Sequence, residues 1–311
     1  MDWLWARQDQ IERKLADRHL TDGAVVLYDV SSSYYEGRTC PLARFGHDRD
    51  GQKGLPIIVY GVMTDGRGCP IAVSVYAGNT GDPTTVPDQV ERLRTRFGLV
   101  HLVLVGDRGM LTQPQIDRLK AQPGMGWITA LTSVSIRKLV QQGALQLSLF
   151  DTQNLAEITA PEFPGERLMA CYNPLLADQR ARKRRALLDA TEQALTKLAR
   201  EVARRTKTLL TGSAIGLKAG KILGRYKMGK HYALTIADGT FAWARRETAI
   251  EAEAKLDGIY VIRTSAPAER CTGSGAISSC AWGRKIGWNT PYCSQRAYSS
   301  IPRKVSRWHL I

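Results

Sequence analysis

Along the first 131 positions the spacing of apolar residues changes several times, and each change marks an element. Trp3, Leu4, Ile11 and Leu15 recur at roughly helical spacing and predict a short helix over 2–19. Thr21-Asp22-Gly23 then turns the chain into an apolar run over 24–30, a strand that reads as buried on both faces. Two β-branched runs, 55–64 and 69–78, are joined by Asp65-Gly66-Arg67-Gly68, a strong hairpin signal. Val86, Val90 and Leu93 give residues 82–98 one apolar helical face. A further apolar strand lies in 101–110, a helix in about 112–121 and a strand at 127–131. Strand, hairpin, helix, strand, helix, strand predicts an α/β fold, a mixed sheet with helices packed on it.

Two of these strands contain a carboxylate. Asp29 interrupts the run at 24–30 and Asp107 ends the run Leu102–Val105 after one glycine. An ionised carboxylate buried without a partner costs several kcal/mol, roughly, so each needs a cation or a hydrogen-bond network. Ligands of such sheets gather at the carboxyl ends of parallel strands. If the two strands are neighbours, their spacing of about 4.8 Å lets both carboxylates reach one divalent cation. Taken singly, either residue reads better as a turn or capping aspartate.

After position 131 the α/β rhythm gives way to a different composition. Residues 178–230 hold 15 Lys and Arg against four Asp and Glu. Leu187, Thr191, Ala194, Leu195, Leu198 and Val202 form a narrow apolar stripe there, predicting a basic amphipathic helix and a second one after Gly212. Arg180, Arg182, Lys183, Arg184 and Arg185 crowd five cations into six positions, which repel one another unless an anion is near. They are the candidate DNA-binding residues. The run 255–265 is a last strand able to rejoin the first sheet. The expected organisation is a first part of the core over 1–131, an insertion with basic helices over 132–254, and a return strand over 255–269.

The whole chain carries a formal charge of +15, a field that draws polyanions without reading sequence. Nucleic acid, DNA or RNA, is therefore the leading partner. No run approaches the ~18 apolar residues of a membrane span, and no signal-peptide core opens the chain, so a cytoplasmic, nucleoid-associated protein is expected. Cysteines at 40, 69, 171, 271, 280 and 293 form no C-x-x-C pair, and neither a zinc site nor a disulfide framework is signalled. Residues 270–311 hold no Asp or Glu but seven basic residues, three of the six cysteines and three of the seven tryptophans, without periodicity. This composition reads as translation in a shifted frame, and an irregular, poorly ordered tail is expected.

The blocks LYDVSSSYYEG, GHDRDGQKGLPIIVYGVMTDGRGCPIAVSVYAGNTGDPTT, LVLVGDRGM, WITAL and DGIYVIRTS, in that order, resemble bacterial insertion-sequence transposases of the DDE class, the IS-four-like group. The resemblance spans about residues 1–269. It implies an RNase-H-like core with the first two acids of a DDE triad on the first and fourth strands, at Asp29 and Asp107. It also implies Mg²⁺ or Mn²⁺ as cofactor, element ends and target DNA as partners, and a homo-oligomer in the intact family. Two such ions about 3.5–4 Å apart activate a water or DNA 3′-hydroxyl and stabilise the leaving oxygen. The family's third acid, a glutamate on a helix after the strand matching DGIYVIRTS, would fall near 280–300, yet no glutamate follows Glu269. With only 28 residues ahead of Asp29, little room is left for the family's upstream DNA-binding segment. The expectation is an inactive transposase fragment, with a non-catalytic DNA-binding remnant and an RNase-H-like nuclease as alternatives.

Overall fold

A computed structural model describes residues 2–47, 49 and 54–267. The expected irregular tail at 270–311 lies outside the described residues. In chain order the elements are α1 (Asp2–His19), β1 (Ala24–Tyr34), β2 (Ile57–Asp65), β3 (Pro70–Ala77), α2 (Asp82–Glu91), β4 (Leu102–Val105), α3 (Gln113–Lys120), β5 (Met125–Ala130) and α4 (Ser133–Gln141). They continue with β6 (Leu155–Ile158), β7 (Arg167–Tyr172), α5 (Pro174–Arg204), α6 (Gly212–Tyr226), β8 (Tyr232–Ala237), β9 (Thr240–Arg245), α7 (Glu247–Ala254) and β10 (Ile259–Thr264). The described residues form two compact units, one of residues up to 170 with 260–267, the other of 171–259.

The first unit is built on an eight-stranded sheet in the order β3-β2-β1-β4-β5-β10-β7-β6. β1, β4 and β5 run parallel, whereas β2 and β3 fold back antiparallel on β1. This is the mixed sheet with packed helices that the apolar pattern predicts, with Asp29 on the first strand and Asp107 after the fourth. On one face Val26, Tyr28 and Val30 of β1 and Leu102 and Leu104 of β4 pack with Ala16 of α1, Val86 and Val90 of α2 and Ile116 and Leu119 of α3. Val103 and Val105 point to the other face, beside Val25, Leu27, Ile128 and Ala266. β4 is therefore covered on both sides, and each of its four side chains contributes about 1.5–3 kcal/mol of burial.

Three expectations change. β1 is not buried on both faces: its accessibility alternates, and Asp29 is exposed on the face away from α1, α2 and α3. The α1 face turned inward carries Glu12 and Ala16, while Trp3 and Leu4 remain 63% and 54% exposed. The α/β rhythm does not stop at 131, because β6 and β7 extend the sheet and the second compact unit begins only at 171.

The inward position of Glu12 follows from the open edge of β3. Val73 N–H donates to Glu12 Oε1 at 3.1 Å and Val73 C=O accepts from Gln8 Nε2 at 3.0 Å, so two side chains one helical turn apart occupy the places of a neighbouring strand. Arg92 Nη2 and Arg96 Nη2 reach Glu12 Oε2 at 2.6 and 3.0 Å and balance the buried charge.

The Gly78-Asn79-Thr80-Gly81-Asp82-Pro83 block has a similar local reason. A Cβ on Gly78 would stand 2.0 Å from the carbonyl oxygen of Ile57 and 2.4 Å from that of Arg44, so only glycine lets the chain leave β3 beneath the Arg44–Ile57 bridge. Pro83 then opens α2, and Asp82 in its first turn pairs with Arg49. The run at 255–265 does hold a strand of the first sheet, β10, which pairs antiparallel with β5.

In the second unit Leu188, Leu195, Leu198 and Val202 of α5 pack against Ile215 and Ala219 of α6 and against Tyr232 of the β8–β9 hairpin. Asn173 caps α5, accepting from Leu176 N–H at 3.2 Å, and Thr211 caps α6.

Candidate functional site

The parallel pairing of β1 and β4 runs from Ala24 opposite Leu102 to Leu27 opposite Val105. Continuing that register by two residues brings position 29 opposite position 107. β1 goes on to Tyr34, paired there with β2 alone, while the β4 ladder with β1 ends at Val105 and Gly106 N–H still donates to Ile128 C=O of β5 at 3.2 Å. Asp29 and Asp107 thus flank the point where two neighbouring parallel strands part. In a sheet adjacent strands are about 4.8 Å apart.

Asp107 is half-buried, and its Oδ1 accepts from Gly109 N–H at 2.9 Å and Met110 N–H at 2.8 Å. It is a turn-capping aspartate, held in a fixed orientation, whose Oδ2 has no hydrogen-bond donor among the described residues. Asp29 stands mid-strand opposite Val62 of β2. Among the described residues no third His, Cys, Asp or Glu gathers with these two.

One other cluster has metal-ligand types: His19, Asp65 and Cys69, with ligand atoms within 4.8 Å of one another. Its hydrogen bonds define it as the clasp of the β2–β3 hairpin. Asp65 Oδ1 accepts from Arg67 N–H and Cys69 N–H at 2.9 and 2.8 Å, and Oδ2 accepts from Arg67 Nε at 2.9 Å. Burial pushes the Asp65 carboxyl up, but the backbone donor of Cys69 and the Arg67 guanidinium outweigh it and hold the acid below its usual range. Arg67 Nη2 also lies 3.2 Å from His19 Nδ1, so a fixed positive charge already occupies the place a cation would take.

The five candidate DNA-binding cations on α5 do not form one free row. Arg184 grips Asp257 through both terminal nitrogens, with Nη1–Oδ1 at 2.9 Å, and Arg180 donates to the carbonyls of Leu256 and Ile259 at 3.3 Å. These two fasten α5 to the turn before β10. Arg182, Lys183 and Arg185 are exposed, and Arg182 has only a 3.9 Å approach to the equally exposed Asp178.

A buried ion cluster that the sequence gives no local sign of lies elsewhere in the first unit. The Glu166 side chain is fully enclosed, paired with Arg263 Nε and Nη2, the latter at 2.8 Å, and with Lys120 Nζ at 2.8 Å. Phe163 covers the guanidinium, 4.8 Å from ring centroid to Cζ. Burial pushes the Glu166 carboxyl up, and the hydrogen bonds from Arg263 and Lys120 overcome it and hold the acid below its usual range.

The model of the transposase DDE domain family matches residues 38–215, more than half of the chain. The chain belongs to the transposase DDE domain family. Asp107 falls inside the matched segment and Asp29 just ahead of it. Among solved structures, this DDE-domain chain is similar to piggyBac transposase in a cryo-EM synaptic complex with hairpin DNA, at 16% identity and a TM-score of 0.32, over 50% of this chain. The chain spans about a third of that transposase's length (32%). No curated protein matches it. Among the described residues of this DDE-domain chain, no helix is long and apolar enough to cross a membrane.

Proposed function

We propose that this chain is the RNase-H-like core of an insertion-sequence DNA transposase of the IS-four-like group, with Asp29 and Asp107 as its first two catalytic acids. The parallel ladder of β1 and β4, which ends at Leu27 opposite Val105 two residues short of both acids, supports this reading, in a chain that belongs to the transposase DDE domain family. Two carboxylates offer hard oxygen ligands of the kind Mg²⁺ or Mn²⁺ takes, and an exposed Asp29 with an Asp107 orientated through one oxygen only fits such a role. Bound there, the ion would supply charge stabilisation at a phosphodiester and an activated oxygen nucleophile. Asp107 contributes a carboxylate whose rotation is stopped by the amides of Gly109 and Met110. Asp29 contributes one carried on a central strand, whose backbone is paired on both sides up to Leu27 and with β2 beyond.

The substrate is DNA, at element ends and target, and the protein works in the cytoplasm at the nucleoid. The family resemblance places the third acid near 280–300, where the sequence holds no glutamate, and on this reading cleavage by this chain is weak or lost. Purified protein incubated with supercoiled plasmid and Mg²⁺ tests this: nicking should not exceed that of Asp29→Ala. Robust nicking that disappears in Asp29→Ala would overturn the inactive-fragment reading while supporting the two acids. Robust nicking that persists in Asp29→Ala and in Asp107→Ala would remove both from the mechanism.

A further inference from the structure

A basic groove of about 960 Å³ runs between α5 and α6 inside the second unit. Lys197, Arg200 and Arg204 line one wall and Lys218 and Lys221 the other, over a floor that includes Leu198 and Ile222. The acid in the lining, Glu201, is already neutralised: it pairs with Lys218 and approaches Arg205 at 3.7 Å, and Lys218 holds its carboxyl below the usual range. Lys197, Arg200, Arg204 and Lys221 are exposed and form no salt bridge with an acid among the described residues. Positions 197, 200 and 204 recur at helical spacing, so they share a side of α5 and extend about 10 Å along it at 1.5 Å per residue.

Lys197, Arg200 and Arg204 facing Lys221 across an open groove repel one another, a cost that is recovered only when anions lie between the walls. We infer that this groove holds the sugar–phosphate backbone of DNA, contacting about four phosphates without reading bases. The inference rests on the reading of the chain as a DNA transposase, and it moves the main DNA contact from the 180–185 run to the far half of α5 and its neighbour α6. About 10 Å corresponds to the rise of roughly three base pairs, so the cation row spans about four successive phosphates of one strand. The apolar floor adds no carboxylate, and the one acid in the lining, Glu201, is already paired with Lys218.

The test uses the full chain and a fluorescently labelled duplex of arbitrary sequence, with anisotropy read between 50 and 200 mM salt. A K197Q/R200Q/R204Q/K221Q variant leaves the Lys218–Glu201 pair in place. A second variant, R13Q/K14Q/R18Q/R118Q, removes four exposed cations from α1 and α3 and controls for net charge. Circular dichroism melting verifies that both fold. Each phosphate contact contributes about −0.9 to the slope of log affinity against log salt, so the groove variant should lose about 3–4 slope units. Over a fourfold salt range that makes its loss of affinity roughly 100-fold smaller than the unaltered protein's. The α1/α3 control should lose about one unit or less. DNA binding with an unchanged slope in the groove variant, or an equal loss in the control, would overturn the inference alone. Failure of the unaltered protein to bind DNA at 50 mM salt would overturn the DNA-binding reading with it.

Discussion

Replacing Glu166 by Gln tests how the return strand β10 is held in the sheet. The substitution preserves shape but removes the negative charge from a side chain that is fully enclosed. Lys120, at 37% exposure, can turn to water, whereas Arg263, at 8%, cannot, so one guanidinium is left buried without its anion. Breaking a buried pair in this way costs about 3–5 kcal/mol. Loss of the Arg263 geometry also weakens its cation–π contact with Phe163, worth about 1 kcal/mol. Allowing for the hydrogen bonds that Gln retains, we expect a loss of about 3 kcal/mol, or roughly 10 °C in melting temperature for a unit of this size. Urea denaturation followed by tryptophan fluorescence measures it, since Trp127 lies against Lys120, 5.6 Å from ring centroid to Nζ.

The sign of the pH dependence follows from the depressed Glu166 acid. Its contribution is complete above the unfolded value near 4.5 and is lost as pH falls through the lower folded value. The gap between the unaltered protein and E166Q should therefore stay constant from neutral pH down to about pH 4.5 and close as the pH falls further. The double variant E166Q/R263M should recover most of the loss, because no uncompensated charge remains. A single-variant loss under 1 kcal/mol, or a gap independent of pH, would refute the account.

Two further substitutions probe the frame around the candidate site. Glu12→Ala should cost about 3 kcal/mol in the same assay, because it strands Arg92 and Arg96 and uncovers the Val73 edge of β3. A loss no larger than that of the exposed Asp17→Ala would show the edge to be held by other contacts. Gly78→Ala should destabilise by about 2 kcal/mol or more, since backbone oxygens, not a movable side chain, meet the new methyl. A melting temperature within a degree of the unaltered protein would contradict the close approach.

The parts of this fold legible in the sequence are those fixed by neighbouring residues. Leu102–Val105, four apolar residues in a row, became the strand covered on both faces, and Val86, Val90 and Leu93 became the buried side of α2 and its extension. Asp65-Gly66-Arg67-Gly68 closed the hairpin because the aspartate caps its own turn and Gly68 adopts φ 89°. What escaped was set by distant partners. Val25 and Leu27 are apolar, so nothing in the run 24–30 reveals that one face lies open at Asp29. Glu12 is buried because Val73, Arg92 and Arg96 come to it from 61 or more residues away. Arg180 and Arg184 looked like free cations until Leu256, Asp257 and Ile259 met them. β6 and β7 are only four and six residues long, too short for their period to stand out from the surrounding loops.

The central claim, that Asp29 and Asp107 share a divalent cation, is tested most directly by Mn²⁺ binding read from electron paramagnetic resonance of the free ion. Asp29→Asn and Asp107→Asn are the variants of choice, since the amide oxygen introduced by the second can still accept from the backbone N–H groups of Gly109 and Met110 and keep the turn. Cys69→Ser serves as the control at the hairpin clasp. The account predicts that each Asn substitution weakens Mn²⁺ binding at least tenfold, about 1.4 kcal/mol, while Cys69→Ser leaves it unchanged. Equal Mn²⁺ affinity in the unaltered protein and both Asn variants would contradict it.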